Sequence, residues 1–348
     1  MKILILTKEQ NNYSDYGSYS TESKSKAGLF NSAMLLSKAL NTIKGIRSEI
    51  ASCIDGNDID NKIHKEKPNL CIIEAIWVTP EKIIELKRLY PKVKIICRIH
   101  SKIPFLAMEG IALEWIKEYI KANITVAFNN EETSDDLNLI GIKNSYLPNI
   151  YSLLNYYPKV LFFDKLINKF FPHKHKHHYK IGCFGAIRPF KNHLNQAIAA
   201  IEFANQKKAD LQFFINASRL EQAGENVLKN LRALFKDTPH KLVELGWHNR
   251  REFLDIIKAM DICMQVSYTE SFNIVAADVV SQIVPIVISP EISWLEEGIC
   301  NPNSVYSMVK ALNYVWKNQR ITTLNNINSL REFNYKALHT WKKYLRTI

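Results

Sequence analysis

The chain has 348 residues, 47% of them apolar, and contains no run of roughly 18 apolar residues. That length is too great for one ordinary core and suits two α/β domains, and a transmembrane helix is not expected. Lysine and arginine total 46 against 34 acids, a net charge of +12, so a polyanion is the expected partner class. Nucleic acid, anionic lipid headgroups and the diphosphate of a nucleotide all qualify, and charge alone does not choose among them.

The first ten residues, MKILILTKEQ, have neither the apolar stretch nor the cleavage site of a signal peptide and read as a first β-strand. Further strands are predicted at Glu49–Ile54, Asn69–Ala75, Lys94–Ile99, Thr125–Asn129 and Ser145–Leu147. Helical patterns fall between them near 28–43, 57–66, 80–89, 109–121 and 131–139. Steady strand–helix alternation implies parallel pairing with crossover helices, and the strands are apolar on both faces as such strands must be. Residues 151–179, aromatic and then strongly basic, break the rhythm and read as a linker after a first domain over 1–150. Alternation restarts with strands at Lys180–Phe184, Leu211–Ile215, Leu242–Leu245, Ile262–Gln265 and Pro285–Ile288. Helices fit at 191–207, 221–236, 250–259, 272–283 and 304–317, giving a second domain over 180–325 and a basic carboxyl-terminal helix within 326–348.

The six cysteines, Cys53, Cys71, Cys97, Cys183, Cys263 and Cys300, form no Cys-x-x-Cys pair. Four lie in apolar strand-like runs, so they read as reduced packing residues of a cytoplasm-like compartment.

Two segments carry chemistry. In KIGCFGAIRPFKNH (180–193) a buried strand ends at Phe184, Gly185 permits a tight turn, and Arg188 and Lys191 follow near a helix start at Pro189 or Asn192. A helix amino terminus offers free N–H groups and partial positive charge, and two added cations make a diphosphate clamp; a solvated basic loop is the competing reading. In YTESFNIVAADVVSQIVPIVIS (268–289) Glu270 sits at a strand end and a helix is expected to start around Ser271, with the N–H groups of Ser271, Phe272 and Asn273 facing an anion. Asp278, eight residues after Glu270 and about two turns into that helix, is a polar residue among Ala276, Ala277, Val279 and Val280. That spacing is expected to put both acids on one side, ready for hydroxyls. A plain helix cap is the simpler account of Glu270, whereas a buried acid at 278 needs a partner or a ligand.

Together these segments resemble the GT-B glycosyltransferases of family 4, retaining enzymes that use nucleotide-sugars. The resemblance covers most of the chain and is best over 180–295. It implies two doubly wound domains whose parallel sheets face across a cleft, with the last helix crossing back to the first domain. It implies that Arg188 and Lys191, behind Gly185, hold the donor diphosphate. Of the family's two acids eight apart, Glu270 matches the one that touches sugar hydroxyls and Asp278 the ribose binder, although the family has a longer glutamate there. It further implies a donor-contacting His100 at the fourth strand's end, a domain-closing turn at Pro148-Asn149, and a loop at Gly246 and Trp247 beside the nucleobase. No cofactor or metal is expected, because protein cations and a helix end neutralise the leaving diphosphate. The run HKHKHH at 173–178 and Asp58-Ile59-Asp60 are accordingly read as a basic linker and a helix start.

The long polar stretch 8–27 lacks the family's Gly-Gly pair; Lys24, Lys26 and Gly28 are expected to form an acceptor-side loop. RIHSKIPFLAMEGIALEW and IVISPEISWL are similar to a subgroup found largely among phage-encoded enzymes. With the basic charge, this points to a hydroxymethylated base in DNA as acceptor, inside the host cytoplasm if phage-encoded. A lipid-linked or surface glycan met on an anionic membrane is the alternative. A non-catalytic nucleotide- or nucleic-acid-binding module and a nucleotide-sugar epimerase remain as readings of other classes, and no Gly-x-Gly-x-x-Gly follows the first strand to support an oxidoreductase.

Overall fold

A computed structural model describes residues 1–9, 28–151, 177–246 and 248–348. The chain divides into two compact units, Met1–Ser152 with Asn334–Ile348, and Leu153–Phe333.

The first unit holds strands β1 (Lys2–Lys8), β2 (Arg47–Cys53), β3 (Leu70–Glu74), β4 (Lys94–Ile99), β5 (Thr125–Phe128) and β6 (Ser145–Tyr146). They form one parallel sheet in the order β2-β1-β3-β4-β5-β6. Ile5 lies opposite Ile72, and Ile72 opposite Ile96, and all three are fully buried, because crossover helices cover both faces. Local chemistry sets where those helices begin. Thr79 accepts from the Lys82 N–H ahead of Pro80, and Asn130 accepts from the Thr133 N–H at the start of Glu131–Leu139.

The second unit holds β7 (His178–Cys183), β8 (Asp210–Asn216), β9 (Lys241–Leu245), β10 (Ile262–Gln265) and β11 (Ile286–Ile288), parallel in the order β11-β10-β7-β8-β9. Tyr179, Ile181, Phe203, Phe213, Met264 and Leu312 are among its core residues. Strand order reverses between β7 and β10. Sheets of this topology leave a crevice at such a point, outside the carboxyl ends of the strands.

Three departures from expectation bear on the site or on the division into units. Tyr179 and His178, read as linker, are the first residues of β7; residues 152–176 of that linker lie outside the described residues. The last helix starts at Gln319, well before 326, since no Gly or Pro interrupts the chain after Asn318. Its residues from Asn334 onward belong to the first unit, where Trp341 donates its indole N–H to the Pro148 carbonyl at 2.8 Å and Asn334 bonds both the N–H and C=O of Tyr151. The helix expected from about Ser271 begins at Ile274. Asn273 takes a left-handed φ of 61° and caps it by accepting from the Ala276 N–H.

No helix among the described residues is long and apolar enough to cross a membrane. All six cysteines are buried and free.

Candidate functional site

The loops leaving β7, β8 and β10 are stitched together by their backbones. Gly185 has φ +115°, a conformation that favours glycine, and donates its N–H to the Asn216 side chain. The Ile187 N–H donates to the Arg219 carbonyl, and the Glu221 N–H to the Ile187 carbonyl, both at 2.9 Å. This approach requires Gly224, where a Cβ would lie 2.1 Å from the Ile187 carbonyl oxygen. After Arg188 comes a single 3-10 turn, Pro189–Lys191, then Asn192 in the left-handed region, then the helix His193–Gln206. Asn192 donates to the carbonyls of Val266 and Pro302, Gln196 donates to the Lys191 carbonyl and accepts from the Val266 N–H, and the Tyr268 N–H donates to the Phe190 carbonyl. The segment carrying Arg188 and Lys191 is thereby fixed against the one carrying Glu270, at the point where strand order reverses.

The charged groups pair across these loops. Lys191 Nζ contacts Glu270 Oε1, with only 11% and 8% of the two side chains exposed. Arg188 bonds Glu221 at 3.1 Å, and Arg219 bonds the other oxygen of the same carboxylate at 2.5 Å. Asp278, nearly fully buried, receives both terminal nitrogens of Arg250, at 2.6 and 3.5 Å. The partner that a buried acid at 278 needs is thus Arg250, and the two acids of the sequence motif answer to different cations. Arg250 opens its helix behind Asn249, which forms a capping box with Glu252.

Three buried side chains in these loops have polar atoms with no hydrogen-bond partner among the described residues: His193 at both ring nitrogens, Ser267 and Thr269. Burial, with the charges of Lys191 and Arg188 adding to it, pushes the His193 imidazole down to about 3, so the ring is neutral.

Other expected residues are distributed as follows. Ser271 lies in the turn before the cap. Phe272 stacks on Trp294 at 5.3 Å and accepts the Trp294 indole N–H through its carbonyl, so its ring belongs to the core. Asn273, besides capping, donates to Gln265, which in turn donates to the Phe184 carbonyl. Gly246 is exposed with open space around it; Trp247, Lys24 and Lys26 lie outside the described residues, and Gly28 is the first residue of its helix.

His100 and Asn149 belong to the first unit, in a cluster the sequence reading missed. Glu74 and Arg98 are both completely buried, and Arg98 bonds the two carboxylate oxygens at 3.0 and 2.8 Å. Arg98 also donates to the Leu147 carbonyl at 2.8 Å and to the Asn149 side chain, and lies over the Trp341 ring at 5.7 Å. Asn149 is therefore committed to the interior of its own unit. His100 Nε2 contacts Glu74 and its Nδ1 lies 3.2 Å from the Asn129 amide nitrogen. Assigning the proton to Nε2 satisfies both contacts. Burial pushes this imidazole down, Glu74 opposing and Arg98 adding to the effect. Burial raises the Glu74 carboxyl, but the charges of Arg98 and His100 outweigh it and hold the group below the usual range. The signal available in sequence was a lone acid ending LCIIE and a lone base inside IICRI, which parallel register sets side by side.

No protein-family model matches the chain, and no curated protein matches it by sequence. Solved structures do match. Sucrose-phosphate synthase from Thermosynechococcus elongatus superposes with a TM-score of 0.69 at 12% identity, covering 100% of this chain and 98% of that one. The Anabaena protein HepE, solved in complex with UDP and glucose, gives 0.63 at 12% identity over 100% and 99% of the two chains. A UDP-forming trehalose-phosphate synthase from Burkholderia xenovorans gives 0.61 at 12% identity over 84% and 78%. The chain has the GT-B fold. These neighbours carry the fold argument; at such identities the chemistry has to be argued from this chain's own residues.

Proposed function

We propose that the protein is a glycosyltransferase that takes a nucleotide-sugar, its diphosphate held by Arg188 and Lys191. The observation that carries this reading is the placement of Arg188, Lys191 and Glu270, the last two in contact, on stitched loops at the switch point of the second sheet. Departure of the nucleoside diphosphate builds negative charge on its oxygens, and cations fixed in advance stabilise that charge without reorganising. Glu270 exchanges Lys191 for sugar hydroxyls once phosphate takes the lysine. Asp278, oriented by Arg250, faces the ribose. Retention of anomeric configuration and independence of metal follow the resemblance to family 4. Neighbours solved with UDP and glucose, or described as UDP-forming, make UDP-sugars the first donors to test.

For the acceptor we infer a hydroxymethylated base in DNA, supported by the net charge of +12 and requiring the base to be flipped from the duplex. A second reading, a lipid-linked glycan, is favoured by Ile103, Met108, Ile111 and Leu113, which follow β4 and are 42–59% exposed. Incubation with UDP-, GDP- and ADP-sugars, with hydroxymethylated DNA or glycolipid-bearing liposomes, followed by mass measurement of the products, tests both. A mass gain of one sugar on DNA supports the first reading and a gain on lipid the second. Wild-type protein that neither binds a nucleoside diphosphate nor transfers sugar overturns the function itself.

A further inference from the structure

Glu221 plays no part in the reading above, yet its carboxylate joins two guanidiniums. One oxygen meets Arg188 at 3.1 Å and the other meets Arg219 at 2.5 Å. Its backbone is fixed independently of those charges. The Glu221 N–H is bonded to the Ile187 carbonyl, the Ile187 N–H to the Arg219 carbonyl, and Ile187 pairs with Leu220 as a parallel bridge. Gly224 lets the backbones close to that distance. A carboxylate anchored through its backbone on the loop after β8 therefore grips the side chain of Arg188 on the loop after β7. Arg188 is 18% exposed and Glu221 26%, so the pair is not sealed from solvent.

We propose that Glu221 is a positioning residue, holding the Arg188 guanidinium in the orientation that receives the donor diphosphate, with Arg219 as the carboxylate's second anchor. This rests on the donor reading of Arg188. An arginine fork has five donors in fixed geometry, more than one carboxylate takes up, and fixing the fork beforehand spares the ligand that ordering cost.

The sign of one measurement separates positioning from charge. By Coulomb's law, removing a carboxylate beside two arginines makes the site more positive and should tighten an anion. Positioning demands the opposite. UDP titrated calorimetrically into the full chain should bind Glu221→Gln about tenfold more weakly than wild type, the scale of one misaligned charge-assisted hydrogen bond. Glu221→Asp keeps the charge and shortens the reach; it should also weaken UDP, with kcat falling more than KM rises. Unchanged or tighter UDP binding in Glu221→Gln, or wild-type behaviour in Glu221→Asp, overturns the proposal. Should Glu221→Gln not fold, judged by thermal unfolding, Glu221→Asp alone decides. Arg188→Ala is the control. If it loses UDP while both Glu221 variants bind normally, only Glu221's role fails; if wild type binds no nucleoside diphosphate, both readings fail.

Discussion

At the ends of β3 and β4, Glu74 and Arg98 are completely buried and satisfied by each other, by the Leu147 carbonyl and by Asn149. At the ends of β7 and β10, and on the helices behind them, Arg188 and Arg250 keep 18% and 23% of their side chains exposed and are held by one carboxylate each at the distances given. The first cluster is closed. Both side chains of the Glu74–Arg98 pair are fully buried and internally bonded, so the pair specifies how the strand ends and the turn at Pro148 come together. The second is open, and its cations can trade a carboxylate for a ligand anion without crossing a dry interior. Charge at a strand end is therefore not by itself a site; what differs is whether the partners can be exchanged.

That contrast can be broken in four ways. Arg98→Ala strands Glu74 in the interior, and urea unfolding should show a loss of about 3–5 kcal/mol; replacing both Glu74 and Arg98 with apolar residues of similar size should cost less than the single change. Arg188→Ala should leave unfolding nearly unchanged while turnover falls by on the order of 100-fold or more, as expected for a group that stabilises leaving-group charge. A purified variant with normal turnover would remove that role. Acid should come next. His100 and His193 are held below the ordinary 6.5, so the unfolded chain binds protons that the folded chain refuses, and their stabilisation is lost as pH falls below about 6.5. Each contributes at most roughly 2 kcal/mol of loss by pH 5. Glu74, held low, adds a further loss as pH falls below about 4.5. A urea midpoint flat between pH 8 and 4 would contradict all three. Lys121→Ala, which breaks an exposed pair with Glu118 at 2.6 Å, should cost no more than about 0.5 kcal/mol.

The strands were legible because a doubly covered strand has almost no choice of residue: LCIIE and ICMQ are buried throughout. The helix expected at 80–89 is found at Pro80–Leu89, whereas the start expected around Ser271 is displaced to Ile274. A cap is the simpler account of Glu270, but Asn273 tolerates the left-handed conformation and takes that role three residues later. Pairings between elements were not readable. Glu74 and Arg98 are 24 residues apart, Asp278 and Arg250 are 28, and Glu221 and Arg188 are 33. Each depends on which strands are neighbours and in what register, and no local pattern in the sequence reports that. A lone charged residue in an otherwise apolar run was the trace they left. It announced Asp278 and would have announced Arg98, but it could not name either partner.

The helix Gln319–Leu345 starts in one unit and ends in the other. Its consequence lies in the order of synthesis. Trp341 meets the Pro148 carbonyl across 193 residues of sequence, and Asn334 meets Tyr151 across 183. On a ribosome the first unit is made first yet finishes last: its six strands emerge early, but the indole packed over Arg98 arrives only after the whole second unit has been translated. Until then the Glu74–Arg98 pair lacks its cover, and the nascent chain carries an assembled sheet with an unsealed polar centre. The second unit is contiguous, so its folding waits on no segment made after it.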